Sequence, residues 1–209
     1  INTKKKRREA KGVWIKNYLV SMTKKELRHH YLQQRKDLSK KQHQQLSRQI
    51  TERVFQLILP DYQWIHVFIP LARQAEVALE PLITSLWECN KKIVVPKLTS
   101  HGEMTHHLWT QTTPWQKNNW GIIEPLASQE IRPDQIDLVI VPLLAVDQNG
   151  QRVGYGKGYY DRFLSQCSEQ VHAMGVGFFP VVEVISDCEV TDIALDSYIT
   201  PIHAYFFKG

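Results

Sequence analysis

The sequence predicts an α/β fold: a single domain with a mostly parallel central sheet flanked by helices. Three observations lead there. Segments of strand composition alternate with segments of helical periodicity along the chain. Leu138–Val141 is an unbroken apolar run, as a central parallel strand needs when both faces are covered. The 209 residues are 43% hydrophobic and 22% charged, with neither repeat nor linker, which suits one sizeable core. Residues 22–209 are therefore read as one domain.

Thr23 followed by Glu26 forms a capping-box pattern that starts a helix at Lys24, running to about Leu38. Ser39 and Gln42 repeat the pattern, and the second helix places Leu46, Ile50, Val54, Leu57 and Ile58 at helical spacing before Pro60 stops it. Trp64–Ile69 reads as a buried strand, and Leu82, Ile83 and Leu86 mark a helix ending near Asn90. Ile93–Val95 and Met104–Trp109 are two further strands, followed by a loop rich in Thr, Pro, Asn and Gly up to Pro125. After Leu138–Val141 come a turn at Asp147–Gly150, a glycine-rich loop and a helix from about Tyr159. His172–Gly177 supplies another core strand, and a terminal strand lies near Tyr198–Phe206. In open α/β sheets ligands bind beyond the carboxyl ends of the strands, so chemistry is expected in the loop after Leu138–Val141.

The net charge is +5, with a pI near 9.1, but the excess is local. Residues 1–21 hold seven Lys and Arg against Glu9, leaving 19 basic and 20 acidic side chains in the rest. A globally basic nucleic-acid-binding surface is thereby excluded for the body of the chain. The arm reads as a basic extension ahead of a natural start at Met22, with a mitochondrial presequence or nuclear signal as the other readings of its KKKRR run. No apolar run approaches the roughly 20 residues that span a bilayer. Cys89, Cys167 and Cys188 are odd in number and far apart, so neither a disulfide framework nor a zinc site is indicated and a reducing cytoplasm is expected. The pairs His29–His30 and His106–His107 have no partner at ligand spacing and read as surface or strand residues.

The segment RVGYGKGYYDRF, residues 152–163, is the most informative. Gly154, Gly156 and Gly158 allow positive φ and can turn successive N–H groups into an anion-binding nest. Lys157 adds an ammonium, Arg152 a fork at the rim, and the following helix its partly positive N-terminus. Asp161 would face a phosphate comfortably only with a cation between them, so phosphate with Mg²⁺ makes sense of it. The spacing is neither Walker A nor Gly-x-Gly-x-x-Gly, and a ligand-free β–α turn also accounts for it. Lys24, Arg28, Tyr31 and Arg35 share one face of the first helix; taken alone, that stripe is a solvated face, and a bound polyphosphate would change the reading.

VPLLAVDQNGQRVGYGKGYYDRFL resembles the signature of the 5-formyltetrahydrofolate cyclo-ligases, also called 5,10-methenyltetrahydrofolate synthetases. The resemblance extends through KKELRHHYLQQRKDLS, EVALEPLI, WGIIEP and TDIALDSYITP, covering essentially residues 22–209. It implies a single α/β domain and a ligase of one-carbon metabolism. The implied reaction is ATP- and Mg²⁺-dependent closure of 5-formyltetrahydrofolate to 5,10-methenyltetrahydrofolate through an iminium phosphate, releasing ADP and phosphate. Carried over by position, Lys24 and Arg28 become ATP contacts, and Arg152 with Gly154, Tyr155, Gly156, Lys157, Gly158, Tyr159 and Tyr160 the phosphate-binding loop. Lys157 and Arg152 take the catalytic role, and Asp161 and Asp192 are magnesium-associated. Glu76 holds the pterin ring, with Tyr155 and Tyr159 near the folate end. The expected partner is this small molecule, with no nucleic acid or membrane, and the expected state is a cytoplasmic monomer.

The sequence departs from the family pattern in places. Tyr155 stands where arginine is common, Leu79 follows Glu76-Val77-Ala78 where threonine is frequent, and two residues are added between Phe68 and Glu76. Asp192 competes with Asp187 and Asp196 and is chosen by its distance from LDSYITP. Two other readings stand beside this one: a nucleic-acid scaffold served by the KKKRR arm, and an ATP-dependent enzyme of the same fold with another substrate. Trp109, Trp120, Phe178 and Phe179 could line a folate slot, although aromatic core packing is the simpler role for each.

Overall fold

The computed structural model describes residues 21–58, 62–99, 103–118, 123–126 and 128–207. The KKKRR arm, Pro60 and Trp120 lie outside them.

Helix α1 (Lys24–Lys36) starts at the expected capping box: the Glu26 N–H donates to Thr23 Oγ1, and the Thr23 N–H donates to Glu26 Oε2 at 2.9 Å. Asp37 caps its far end, one residue before the expected stop. Helix α2 (Lys40–Ile58) repeats the device, with the Ser39 N–H on Gln42 Oε1 at 3.0 Å and the Gln42 N–H on Ser39 Oγ. Strand β1 (Trp64–His66) is shorter than the sequence suggests, although Val67 still donates its N–H to Val94 O at 2.8 Å. Helix α3 (Glu80–Glu88) carries Pro in its first turn, where no intrahelical N–H is needed, and is followed by Asn90 at φ 56°.

Strand β2 (Lys92–Leu98) is longer than expected and continues through Pro96. It tolerates this proline because pairing with β1 ends at Val94, so a missing N–H on that side breaks no ladder. Strand β3 (Met104–Trp109) pairs antiparallel with β2 at the sheet edge. The stretch read as a loop holds a small hairpin, β4 (Trp115–Lys117) and β5 (Ile123–Pro125). Strand β6 (Leu138–Pro142) is the predicted buried strand. A second small hairpin, β7 (Ala145–Val146) with β8 (Arg152–Val153), encloses the Asp147–Gly150 turn. Helix α4 (Tyr159–Leu164) and strand β9 (His172–Val176) follow. The single terminal strand expected is instead a hairpin, β10 (Ser197–Ile199) and β11 (Ala204–Phe206).

Seven strands form one sheet in the order β11-β10-β9-β6-β1-β2-β3, parallel from β10 to β2 and closed at each edge by an antiparallel strand. Strand β6 feeds two cores: Leu138 and Ile140 pack with Ile50, Val54, Leu82 and Leu86 of α2 and α3, while Val139 and Val141 pack with Phe163 and Leu164 of α4. Burial on both faces explains why this strand reads as a continuous apolar run. Helix α1 packs Leu27 against Ala145, Val153 and Ile185, which seats it on the β7–β8 hairpin. From β1 the chain moves one way to β2, and from β6 the other way to β9. The β1/β6 boundary is therefore a topological switch point, where a crevice opens beyond the carboxyl ends.

Candidate active site

A cleft of about 1510 Å³ lies at that switch point. Its walls come from Phe68 and Glu76 after β1, Pro142 at the end of β6, the glycine-rich loop, the start of α1 and the segment Glu189–Ile193. Every residue given a nucleotide, catalytic, metal or pterin role by the family resemblance lines it, from Lys24 through Glu76 and the loop to Asp192. Residues more than 160 positions apart meet there because α1 lies across the β7–β8 hairpin: the Met22 carbonyl accepts the Ser186 N–H at 3.0 Å, and Lys24 pairs with Asp192.

In the loop, Gly156 and Gly158 take the positive φ values of 83° and 64° that favour glycine, whereas Gly154 does not need one. Helix α4 has only six residues, so its dipole adds less than a long helix would. Arg28 reaches from α1 to donate Nε–H to Gly154 O at 2.9 Å, and its guanidinium lies directly against Gly156. Arg152, 8% exposed, donates to Asp161 Oδ1 at 2.7 Å and to Ile193 O. Burial pulls the Arg152 guanidinium below its ordinary range, and Asp161 and Asp192 act against that shift. Burial raises the Asp192 carboxyl, but Lys24, the Glu189 N–H and Arg152 outweigh it and hold the group below the ordinary range. Lys157 is exposed.

Asp161 is thus paired with Arg152 and Asp192 with Lys24, yet Asp161 Oδ2 and Asp192 Oδ1 accept no hydrogen bond from the described residues. Two hard oxygen donors on one cleft suit a Mg²⁺ ion that keeps several waters and is shared with substrate phosphates. Among the described residues there is no cluster of three or more His, Cys, Asp or Glu side chains placed to hold a metal ion.

The opposite end of the cleft is built on Glu76, 5% exposed, whose Oε2 accepts the Leu71 N–H at 2.7 Å. Burial pushes its carboxyl up, while the Leu71 N–H, the Tyr155 hydroxyl and Arg35 pull it back. Tyr155 is raised by burial and by the Glu76 charge, and Tyr160 is raised well above its ordinary range by burial. The Tyr160 hydroxyl is buried without a partner among the described residues. Tyr159 stacks against the Arg162 guanidinium at 5.2 Å. Behind the cleft, His66 and His106 lie 5.2 Å apart, His106 stacks on Phe163 at 3.8 Å, and burial depresses both imidazoles, His106 to about 4.

One residue missed by the sequence reading is Arg35. It was grouped with a solvated stripe, but it is 2% exposed and donates to Tyr155 Oη at 3.0 Å and to Leu143 O. Of the stripe, Lys24 and Arg28 line the cleft, Tyr31 packs against Phe179 and Arg35 is buried, and only packing reveals this. Trp109, Phe178 and Phe179 sit in the core cluster rather than in the cleft.

The family model described as the 5-formyltetrahydrofolate cyclo-ligase family matches residues 20–197. This chain belongs to that family. It is accordingly a ligase, and the matched span contains the whole cleft from Lys24 to Ile193. The 5-formyltetrahydrofolate cyclo-ligase of Escherichia coli K12 is 30% identical over 176 residues, which is 81% of this chain and 95% of that protein. The enzyme of the same name from Haemophilus influenzae is 29% identical over 80% of this chain and 88% of its own length. The solved structure of Aquifex aeolicus 5,10-methenyltetrahydrofolate synthetase superimposes with a TM-score of 0.77 at 28% identity, covering 90% of this chain and 94% of that one. The synthetase from Mycoplasma pneumoniae follows with a TM-score of 0.70 at 26% identity, covering 86% and 99%. No described helix is long and apolar enough to cross a membrane.

Proposed function

We propose that this cyclo-ligase family member converts 5-formyltetrahydrofolate to 5,10-methenyltetrahydrofolate, using ATP and Mg²⁺ and releasing ADP and phosphate. One observation carries the reading. A cation-rich glycine loop with two partly free carboxylates and a buried glutamate line the same switch-point cleft.

The chemical difficulty is the formamide group. Its oxygen leaves poorly and its carbon is a weak electrophile, so direct attack by the neighbouring N10 stalls. Transfer of the γ-phosphoryl group of ATP to the formyl oxygen, with ADP leaving, creates an iminium phosphate. N10 then bonds to that carbon and loses its proton as the C–O bond breaks and phosphate departs. Such a transfer needs in-line positioning and neutralisation of spread negative charge, and no protein nucleophile.

The chain supplies these requirements. Lys24 and Arg28 bind the nucleotide from α1, and loop N–H groups from Gly154 to Tyr160 cradle its phosphates. Lys157 and Arg152 stabilise the charge of the transferring group; Lys157 is free to swing onto it, whereas Arg152 is fixed by Asp161 and Ile193 O. Asp161 and Asp192 would hold Mg²⁺ through their free oxygens, and the ion when bound would neutralise phosphate charge. Glu76 accepts two parallel N–H bonds from the aminopyrimidinone edge of the pterin, with Tyr155 and Tyr159 beside it. Residues 22–209 act as one domain, the basic arm is an accessory extension, and the enzyme works as a cytoplasmic monomer.

The test is the near-ultraviolet absorbance of methenyltetrahydrofolate. It should grow only with ATP, Mg²⁺ and 5-formyltetrahydrofolate all present. Folded protein that yields no such signal, or yields it without ATP, would contradict the reading.

A further inference from the structure

Glu76 follows directly on a strained turn of the backbone. Ala75 stands at φ 46° and ψ 45°, in the left-handed region that alanine disfavours. The only other non-glycine residue at positive φ among the described residues is Asn90, and asparagine tolerates that region far better. An outlier of this kind persists only where the surrounding contacts over-determine it.

Those contacts can be named. The Gln74 N–H donates to Leu71 O at 2.8 Å and the Ala75 N–H to Ala72 O at 3.1 Å, closing the single 3-10 turn Ala72–Gln74. These bonds use the N–H groups of the turn and leave the carbonyls of Ala75 and Glu76 to be met from elsewhere. Helix α2 meets them. His43 brings Nε2 to 2.7 Å from Glu76 O and 3.3 Å from Ala75 O, with its ring 5.2 Å from that of Phe178. Carbonyl oxygens only accept, so Nε2 carries the proton and donates to both. One helical turn on, Ser47 Oγ accepts the Ala78 N–H at 3.1 Å, so α2 grips the chain on both sides of the Glu76 side chain. The contact from Arg35 Nη1 to Gln74 O, at 3.5 Å, is too long to hold the turn by itself. With the main chain so fixed, Val77 packs into the core, while Glu76 lines the cleft and its Oε2 accepts the Leu71 N–H at 2.7 Å.

We propose that His43 is a positioning residue: by clamping the Ala75 and Glu76 carbonyls it holds the left-handed turn that aims the Glu76 carboxylate at the paired N–H donors of a heterocyclic substrate edge. This rests on the reading of Glu76 as the pterin-binding residue. His43 is not among the residues that line the cleft, so it acts on the substrate only through Glu76. Without its N–H the two carbonyls lose their donor, Ala75 relaxes out of the left-handed region, and Glu76 is carried off its line.

The test measures affinities for 5-formyltetrahydrofolate and for ATP separately, on folded protein, in His43→Leu, His43→Gln, the His43→Leu/Ala75→Gly double variant and Glu76→Gln. His43→Leu keeps bulk against Phe178 but has no donor. It should weaken folate about tenfold, as a misplaced binding group does, and leave ATP within about twofold. His43→Gln carries an amide N–H near the position of Nε2 and should bind folate within about threefold of the parent. The double variant should recover most of the loss, because glycine takes the left-handed conformation without strain and the turn no longer needs its clamp. Should His43→Leu not fold, His43→Asn takes its place, with an amide too short to reach either carbonyl. Unchanged folate affinity in folded His43→Leu overturns the proposal. Equal weakening of ATP, a His43→Gln variant no better than His43→Leu, or a double variant that recovers nothing overturns it as well. If Glu76→Gln binds folate as tightly as the parent, the reading of Glu76 falls and the proposal with it. If Glu76→Gln weakens folate but His43→Leu does not, the positioning role alone falls.

Discussion

Gly156→Ala probes the phosphate loop at its most constrained point. The residue stands at φ 83°, where a side chain is disfavoured by about 1–2 kcal/mol. A Cβ added there would lie 3.3 Å from Arg28 Nη2 and 3.4 Å from its Cζ, tighter than most real contacts. Arg28 must give way, which loosens its 2.9 Å bond to Gly154 O, a contact worth about 1 kcal/mol. The total of roughly 2 kcal/mol corresponds, for a folded body of this size, to a melting point lowered by about 4–8 °C. Gly154→Ala is the internal control, because a Cβ there meets nothing within 4 Å and no positive φ is involved. Thermal unfolding of the ligand-free protein should therefore separate two glycines only two positions apart. With Arg28 displaced, the KM for ATP should also rise about tenfold in Gly156→Ala. Equal melting points for Gly156→Ala and the parent, or an equal loss in Gly154→Ala, would refute this account of the loop.

Lys157→Ala should lower kcat by about 10²–10³-fold by removing transition-state charge stabilisation and leave the melting point within about 1 °C, since an exposed loop lysine adds little to the core; wild-type turnover would show that the loop is misread. Glu76→Gln should raise the KM for 5-formyltetrahydrofolate and spare that for ATP, because the buried carboxylate serves only one end of the cleft; steady-state kinetics with each substrate varied will check this. His66 and His106 set a third expectation. Their folded-state values lie below the ordinary 6.5, His106 at about 4, so the unfolded chain binds more protons between those limits. Their contribution is complete above pH 6.5 and is lost as pH falls toward 4. Urea unfolding over that range should show a steep acid limb, flattened in His106→Asn; an unchanged limb would show that other groups set it.

Much of this was legible in the sequence because local signals and the fold agreed. The capping residues Thr23 and Ser39 start α1 and α2 as read, and the apolar run of β6 marks the sheet centre. The cleft was legible through a motif whose residues are close in sequence. What escaped depends on tertiary placement. Arg35 looked solvated because a stripe on a helix does not say what packs against it, and its partners Tyr155 and Leu143 lie more than 100 positions away. The β4–β5 and β7–β8 hairpins have strands of two or three residues, too short for an alternating pattern to register. The expected strand Ile93–Val95 stops short of Pro96, and β2 runs on through that proline because its pairing with β1 ends at Val94. His66 was hidden inside an apolar strand, where one imidazole does not disturb the pattern.

The central claim is that the formyl oxygen, rather than a protein group or water, receives the phosphoryl group. Oxygen-18 placed in the formyl group of the substrate tests it most directly, with the released phosphate analysed by mass spectrometry after turnover with unlabelled ATP. The account predicts one heavy oxygen in each phosphate released. Unlabelled phosphate, with the heavy oxygen recovered in water, would contradict it.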